Sequence, residues 1–212
     1  MPELPYVQDP EEAAFQRLYG PWLAWTPRQA AEVLDGWDRP WWIAGGHAID
    51  PFAGTQRPHE DIDVAVFRAH VPDLRAYLGT QWHCWAAGDR GLRPLTSQDP
   101  ELPDWADQCW VRRHAWSPWV ADVVASPDVD GDWVFRRDPS VVLPLAHVTW
   151  EHEGIRYLKP EVVLAYKAKL ARPKDDVDLE RTWPLLDGDQ RAWLLGTIER
   201  LHPGHRWLAD MR

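Results

Sequence analysis

The sequence predicts an α+β fold in which a mixed β-sheet is flanked by helices and followed by a small helical part at the C-terminal end. Short apolar runs rich in Val and Trp alternate with helical patterns up to about residue 158. After that point strand patterns stop and three helical runs follow. We therefore predict an α/β domain with N-terminal helices over residues 1–158 and a helical subdomain over residues 159–212.

Individual elements are predicted from local signals. Thr26-Pro27 supplies an N-cap followed by proline at the first helical position, which is typical of a helix start. Asp61 opens a run of acid, apolar residue, acid and then Val-rich sequence, which is typical of a strand entering a sheet. In chain order the patterns predict helices over residues 9–19 and 27–34, from about 47, and over 71–78, 161–171, 175–186 and 189–201, and strands over residues 41–44, 61–67, 82–86, 108–113, 119–124, 132–136 and 155–158.

Composition narrows the class of protein. The 212 residues are 45% hydrophobic, which is sufficient for a substantial core. No run reaches the length of a membrane span and the N-terminal sequence has no signal pattern, so a cytoplasmic protein is expected. Cys84 and Cys109 are too few for a disulfide framework or a zinc site. Most of the 16 Trp residues are expected in packing and a minority at the ligand site; a monomer and a homodimer both stay open.

The net charge of -10 indicates which classes of partner the chain favours. A general nucleic-acid binder needs a basic face for phosphates, so nucleic acid is an unfavourable partner. An acidic protein attracts small cations through its field. The loop acids Glu101, Asp104 and Asp107 are interpreted as a solvated loop or as a rim that attracts a polycationic substrate.

Asp61 and Asp63 are the strongest candidates for chemistry. Alternate residues of a strand share a face, so both carboxylates point the same way with Cβ atoms roughly 6 to 7 Å apart. Two such carboxylates cannot both be buried in ionised form without a cation. Oxygen ligands select Mg²⁺ or Mn²⁺, and Mg²⁺ usually completes its shell with water and substrate phosphates. We therefore predict a site for one or two Mg²⁺ ions.

Gly45-Gly46 supplies a second candidate site at the end of the predicted strand 41–44. Without Cβ atoms the backbone can turn sharply and approach a ligand closely. Amide groups at a strand-to-helix turn are natural donors to phosphate. This turn and the acids of the following strand together predict a nucleoside triphosphate site.

Asp122 is the candidate for a third carboxylate, because it is a single acid among the apolar residues of strand 119–124. Phosphoryl-transfer sites use such a group to complete metal coordination or to take a proton from the attacking hydroxyl. The alternative is an aspartate at a strand end that faces solvent.

These motifs resemble a known family. The runs WWIAGGHAIDPFAGTQRPHEDIDVAV, GDWVFRRDP and GIRYLKPEVVLAYKAKLARPKDDVDLE are similar to the aminoglycoside 2''-adenylyltransferase-like family of the polymerase-beta-like nucleotidyltransferase superfamily. The resemblance covers roughly residues 38–182. It implies a nucleotidyltransferase-type mixed sheet, ATP as the nucleotide donor, Mg²⁺, and transfer of a nucleotide to a hydroxyl group.

The resemblance also implies roles for single residues. Asp61, Asp63 and Asp122 would be the metal-binding and catalytic carboxylates, and Gly45-Gly46 would contact the triphosphate. Many relatives have Trp or Ser at the position after the glycine pair, where this chain has His47. We interpret His47 as a nucleotide contact or as a surface residue that caps a helix.

Two basic residues are further candidates. Arg57 is suited to bidentate contact with phosphate, or it pairs with Glu60 or Asp50. Lys167 and Lys169 cannot share one helix face, so we predict that Lys167 contacts phosphate, with Lys174 as its rival. The acids around Asp175 and Asp178 are interpreted as a solvated helix start, or as groups that orient Lys174 or a substrate amine.

The acceptor predicted first is a hydroxyl of an aminoglycoside, a small cationic substrate that the acidic balance favours. A lincosamide-like molecule, or a tRNA or protein as in toxin-type enzymes, stays open. A catalytically inactive ligand-binding module is the alternative from another class.

Overall fold

The computed structural model describes residues 10–211, so the expected helix start at Asp9 and the N-terminal sequence pattern lie outside the described residues. The chain divides into two compact units, Met1–Trp41 with His59–Ser126 and Trp42–Pro58 with Pro127–Arg212. The predicted division at residue 158 stays a prediction.

The elements follow in chain order. The helices are α1 (Pro10–Tyr19), α2 (Pro27–Val33), α3 (Asp50–Ala53), α4 (Val71–Leu78), α5 (Leu145–Val148), α6 (Pro160–Lys167), α7 (Pro173–Thr182), α8 (Gly188–Leu201) and α9 (Trp207–Asp210). The strands are β1 (Trp41–Ile43), β2 (Asp63–Phe67), β3 (His83–Gly88), β4 (Gly91–Pro94), β5 (Ala106–Arg112), β6 (Trp119–Ser126), β7 (Asp128–Val129), β8 (Asp132–Val134), β9 (Val142–Leu143), β10 (Thr149–His152) and β11 (Ile155–Leu158). Short 3₁₀ turns cover Gly46–Ala48, Arg68–His70 and Trp183–Leu185.

The first unit is built on five strands in the order β2-β6-β5-β3-β4. β2 runs parallel to β6, and the other neighbours are antiparallel. One face of this sheet is apolar because alternate residues such as Val64, Val66, Val123 and Val111 are buried there. Both cysteines lie on that buried face as free thiols. A hydrogen bond with Cys84 and burial raise the pKa of Cys109 well above its ordinary value, so the thiol stays protonated.

The second unit combines a small sheet with helices. β1 pairs in parallel with β11, which pairs antiparallel with β10, and a separate three-stranded sheet has the order β7-β8-β9. Helix α6 packs against α7 and α8, and its side chains from Val162 to Ala165 are buried. Leu194 and Ile198 of α8 are also buried, so the C-terminal helices form an apolar core of their own.

The α+β class with a mixed sheet flanked by helices is confirmed, and so is the capped start of α2. Thr26 accepts a hydrogen bond from the Gln29 amide at 3.2 Å and donates its own amide to the Gln29 side chain at 2.9 Å. The predicted helix 161–171 is shorter than expected. It ends at Lys167, and Ala171 has a φ of +45°, a left-handed conformation that a helix does not contain.

Other differences come from weak local signals. Strands β4, β7, β9 and β10, of two to four residues each, were not predicted. The strand predicted from Asp61 begins at Asp63. Pro184 lies in a 3₁₀ turn, so the predicted helix 175–186 ends at Thr182. Within residues 10–211, no helix is both long and apolar enough to cross a membrane.

Candidate active site

The acidic residues of the first unit meet on two neighbouring strands. Asp63 is the direct register partner of Asp122 in the parallel pairing of β2 with β6. The backbone amide of Asp122 donates to the carbonyl oxygen of Ile62 at 3.0 Å. Paired residues of adjacent strands project from the same face about 5 Å apart, so the carboxylates of Asp63 and Asp122 lie side by side.

Asp61 lies two residues before Asp63, ahead of the start of β2. It is exposed, Ile62 is fully buried and Asp63 is half-buried, which is the alternation of an extended chain. The buried Ile62 anchors the segment in the core on the opposite face. Of the three acids predicted as metal ligands, Asp63 on β2 and Asp122 on β6 are paired on one side of the sheet. The place of Asp61 beside them stays a prediction.

Asp122 is 5% exposed, which excludes the alternative of a solvent-facing strand end. The side-chain amide of Gln108 donates to Asp122 Oδ2 at 2.5 Å. This contact fixes the rotation of the carboxylate and partly offsets the cost of burying it.

Gln108 was missed from the sequence. Gln108 lies two residues before Trp110 on β5. Trp110 is the direct register partner of Asp122, which is on β6. Alternate residues of a strand share a face, so Gln108 lies on the same face as Asp122 once the pairing of β5 with β6 is known. The local sequence does not reveal this pairing.

The donor set fits a hard divalent cation. Carboxylate oxygens from Asp61, Asp63 and Asp122 provide only oxygen ligands, which Mg²⁺ and Mn²⁺ prefer. Side-by-side carboxylates on a sheet repel one another when ionised, and a cation removes this cost. The residues present therefore suit the predicted metal.

The glycine turn lies in the second unit. Gly45 adopts φ 59° and ψ -148°, a combination that is essentially restricted to glycine. Gly46–Ala48 follows as a 3₁₀ turn, with the Ile49 amide donating to the Gly46 carbonyl oxygen at 3.0 Å. His47 is half-buried in this turn, and helix α6 packs against it. The sharp turn predicted from the glycine pair is thus present.

Arg57 and Lys167 belong to an ionic cluster, formed by Arg57, Lys167, Arg172, Asp175 and Asp178, of which only Arg172 is substantially exposed. Arg57 makes a bidentate contact with Asp178, at 2.9 Å from Nε to Oδ1 and 3.0 Å between the second nitrogen and Oδ2. Lys167 Nζ lies 3.0 Å from both Asp175 Oδ1 and Asp178 Oδ2. Arg172 Nε donates to Asp175 Oδ2 at 2.9 Å. Three cations thus meet two carboxylates, and the charge of Asp50 also acts on Arg57.

The carboxylates of the ionic cluster are ionised at neutral pH. Burial alone would raise the pKa of Asp178, but the hydrogen bond from Arg57 and the charge of Lys167 lower it below its ordinary value. Burial likewise opposes ionisation of Asp175, and the hydrogen bonds from Arg172 and Lys167 outweigh it and lower the pKa. The pKa of Arg57 would fall on burial, but its hydrogen bonds to Asp178 raise it.

This arrangement corrects two interpretations. Asp175 and Asp178 do not form a solvated helix start, because their side chains are 0% and 1% exposed. Arg57 has Asp178 as its bidentate partner, a residue that the sequence did not suggest. Lys167 is within the ionic cluster and Lys169 is exposed, and the phosphate contact of Lys167 stays a prediction.

The predicted site residues fall into two groups. The first unit contains the proposed metal ligands Asp61, Asp63 and Asp122, and the second contains the proposed nucleotide contacts Gly45, Gly46, His47, Arg57 and Lys167.

Comparison with known proteins tests the resemblance to the aminoglycoside 2''-adenylyltransferase-like family. The family model described as aminoglycoside-2''-adenylyltransferase matches residues 28–84, which include the glycine turn and Asp61 and Asp63. The chain thus resembles this family, as predicted. No curated protein sequence gives a significant match.

Solved structures add agreement in fold. The solution structure of the antibiotic-resistance factor ANT(2'')-Ia is 15% identical with a TM-score of 0.52, covering 86% of this chain and 91% of that chain. The crystal structure of ANT(2'')-Ia with adenylyl-2''-tobramycin gives 15% identity and a TM-score of 0.52 over 82% and 95% of the two chains. The lincomycin-bound adenylyltransferase LnuA gives 14% and 0.52 over 75% and 95%. The predicted fold is confirmed by these likenesses.

Proposed function

We propose that the protein is a Mg²⁺-dependent nucleotidyltransferase that moves AMP from ATP to a hydroxyl group of a small molecule, with an aminoglycoside as the first candidate acceptor. The observation that carries this proposal is the direct pairing of Asp63 with Asp122 on neighbouring strands. The family match over residues 28–84 and the shared fold support it.

The proposed roles of the acids follow from their placement. Asp61 and Asp63 hold the metal, which when bound neutralises phosphate charge and orients the reacting groups. Asp122 is held by Gln108 through one oxygen, and we assign its carboxylate to metal coordination or to accepting the proton of the acceptor hydroxyl. As the hydroxyl oxygen bonds to the α-phosphorus of ATP, the bond to the leaving pyrophosphate breaks and the hydroxyl proton passes to the base.

The proposed roles of the nucleotide-binding residues rest on the second unit. The Gly45 conformation lets backbone amides of the turn approach a phosphate closely. Arg57 and Lys167 are cationic donors of the kind that bind a polyphosphate. His47 is assigned a contact with the nucleotide because it follows the glycine pair directly. A cytoplasmic location is proposed with this function, since ATP is the donor.

Replacing the acids of β2 tests the proposal. Asp61→Asn and Asp63→Asn each remove a charged metal ligand at nearly constant volume, so we expect turnover to be lost while the fold is retained. Asp89→Asn is the matched control, because Asp89 is exposed in the turn between β3 and β4. Pyrophosphate release reports activity, and circular dichroism with thermal unfolding reports the fold. Wild-type turnover in either acid variant would refute the assignment.

The acceptor is tested with a panel of antibiotics. Release of pyrophosphate from ATP and Mg²⁺ only with aminoglycosides supports the first candidate. Release only with lincomycin supports a lincosamide acceptor, a second candidate favoured by the likeness to LnuA, whose fold this chain shares. ATP binding without release in the presence of any acceptor, including tRNA and protein, favours an inactive ligand-binding module.

A further inference from the structure

Lys159 follows strand β11 directly and lies beside the glycine turn of the second unit. β1 and β11 run parallel, and Ile43 is the register partner of Tyr157. Two residues further along both strands, Lys159 comes opposite Gly45. The backbone of Lys159 is still extended, with φ -60° and ψ 144°, and its amide donates to the Val148 carbonyl oxygen at 2.8 Å. Lys159 and Gly45 are therefore neighbours at the carboxyl edge of this sheet, about one strand spacing apart.

The side chain of Lys159 shares a sheet face with the start of the glycine turn. Alternate residues of a strand point to the same side, so Lys159 follows Tyr157 and Gly45 follows Ile43. Helix α6, which begins directly after Lys159, packs against the turn Gly46–Ala48. A lysine stem of four methylene groups is longer than one strand spacing of about 4.8 Å. The ammonium group of Lys159 is therefore within reach of a ligand held by the amides of the turn.

Lys159 is half-buried and has no counter-ion in contact with it. In the part of the chain that the structure describes, no carboxylate oxygen lies within 4.0 Å of its Nζ. Its charge acts on Glu161, but that carboxylate accepts a hydrogen bond from the Gln190 side chain at 2.8 Å. Lys167 differs, because two carboxylates of the ionic cluster each lie 3.0 Å from its Nζ. Of these two lysines, only Lys159 has a charge that an anionic ligand can pair without displacing a carboxylate.

The position of Lys159 is unfavourable for the stability of the fold. It is the N-cap residue of α6, and its side chain makes no capping hydrogen bond. A helix N-terminus carries partial positive charge, so a cation there opposes the helix dipole. Ser, Thr, Asp and Asn stabilise this position, and α2 and α8 follow the rule with Thr26 and Asp187. Local stability therefore does not explain a lysine here, and residues that break a local rule concentrate at functional sites.

From its place beside the glycine turn, its lack of a counter-ion and its conflict with the helix dipole, we propose that Lys159 binds the triphosphate of ATP, as a cation separate from Arg57 and Lys167. The amides of the turn and the Nζ of Lys159 approach the phosphate oxygens from the same edge of the sheet. A bound phosphate supplies the counter-ion, and its negative charge also favours the start of α6. This inference rests on the proposed nucleotidyl transfer, in which ATP is the donor.

Binding of inorganic tripolyphosphate with EDTA present tests this assignment without a nucleobase or a metal. Lys159→Met removes the charge and keeps an unbranched side chain, so we expect the affinities for tripolyphosphate and for ATP to fall at least about tenfold. Lys159→Arg keeps the charge, and its affinities should stay within about threefold of the wild type. Lys169→Met is the matched control, because Lys169 is exposed and lies outside the turn. Titration calorimetry gives the affinities, and adenosine, which has no phosphate, should bind to every variant equally.

Lys159→Asn separates ligand binding from folding. Asn is a favourable N-cap residue, and the substitution also removes a cation from the helix N-terminus. We therefore expect the midpoint of thermal unfolding to rise by about 2–4 °C. The affinity for tripolyphosphate should nevertheless fall at least about tenfold, as in Lys159→Met. Damage to the fold would lower stability and affinity together, so opposite changes identify a ligand contact.

The outcomes distinguish this inference from the proposed function. Folded Lys159→Met and Lys159→Asn variants with wild-type affinity for tripolyphosphate and ATP would overturn the role of Lys159, and so would a wild type that binds neither ligand. A wild type that binds ATP through Lys159 and releases no pyrophosphate with any acceptor refutes nucleotidyl transfer and leaves the phosphate contact in place. An active wild type whose Lys159 variants bind and react normally refutes only the role of Lys159.

Discussion

Gln108 shows how one side chain tunes a neighbouring acid. A buried carboxylate that accepts a charge-assisted hydrogen bond is fixed in orientation, and misplacement of a reacting group by even about 1 Å can cost roughly a hundredfold in rate. Gln108 donates to one oxygen of Asp122, and this contact also fixes the direction in which the other oxygen points. We regard Gln108 as a positioning residue.

Replacing Gln108 with Ala should therefore lower kcat about ten- to a hundredfold and leave the KM for ATP nearly unchanged. Weaker binding of Mn²⁺ alone, measured by electron paramagnetic resonance, is expected in parallel, because Asp122 loses its fixed orientation. Gln98→Ala is the control, since Gln98 is exposed in the loop after β4. If Gln108→Ala has wild-type kcat and Mn²⁺ affinity, the positioning role is wrong.

Asp178 links two cations, and its ionisation should be visible in stability. Its pKa is lowered in the folded protein, so its contribution is complete above the pKa of the unfolded chain, about 3.9, and is lost as the pH falls through the folded value. Asp178→Asn leaves Arg57 and Lys167 poorly compensated. We expect a loss of about 3 kcal/mol in the free energy of unfolding at pH 7, as for other broken buried pairs.

Urea unfolding between pH 7 and pH 3 measures this effect. The difference between the wild type and Asp178→Asn should stay constant down to about pH 5 and shrink below about pH 4. Asp132→Asn, at an exposed position in β8, should match the wild type throughout. A difference independent of pH would show that shape, and not charge, explains the loss.

At the scale of elements, the glycine turn is where backbone conformation and function coincide. Gly45 has a backbone conformation that an L-residue adopts only at a cost of about 1–3 kcal/mol. Gly45→Ala should therefore destabilise the protein by that amount or distort the turn, and in both cases weaken ATP binding. Thermal unfolding and titration calorimetry with ATP measure the two effects.

The control for this substitution is Gly196→Ala. Gly196 is exposed within α8, and an added Cβ would meet nothing within 4 Å. Alanine at a helix interior is favoured over glycine by about 1 kcal/mol, so this variant should be slightly more stable and bind ATP normally. Equal behaviour of the two variants would contradict a special role for Gly45.

Local sequence predicted some of these elements well and others poorly, for physical reasons. The start of α2 and the Gly45 turn depend on residues next to one another, so Thr26-Pro27 and Gly45-Gly46 were sufficient. The burial of Asp178 depends on Arg57, which is more than 100 residues away in the chain. Gln108 likewise acquires its role only through the pairing of β5 with β6. Non-local partners of this kind leave no local pattern.

At the scale of the whole molecule, the local distribution of charge differs from the net charge of the chain. The chain carries a net charge of -10, yet the ionic cluster brings three cationic side chains together. The proposed metal ligands and the proposed phosphate contacts belong to different compact units. Metal binding and direct contacts to the triphosphate should therefore be separable by mutation.

Metal-free binding of ATP tests this separation. With EDTA present, Asp63→Asn should bind ATP within about twofold of the wild type, because the lost carboxylate attracts only a cation. Lys167→Met should bind ATP at least about tenfold more weakly, because a charge-assisted contact to phosphate contributes about 1.5–3 kcal/mol. Lys169→Met, two residues along and exposed, is the matched control. Fluorescence titration with an ATP analogue gives all four affinities, and normal binding by folded Lys167→Met would assign the ionic cluster to stability alone.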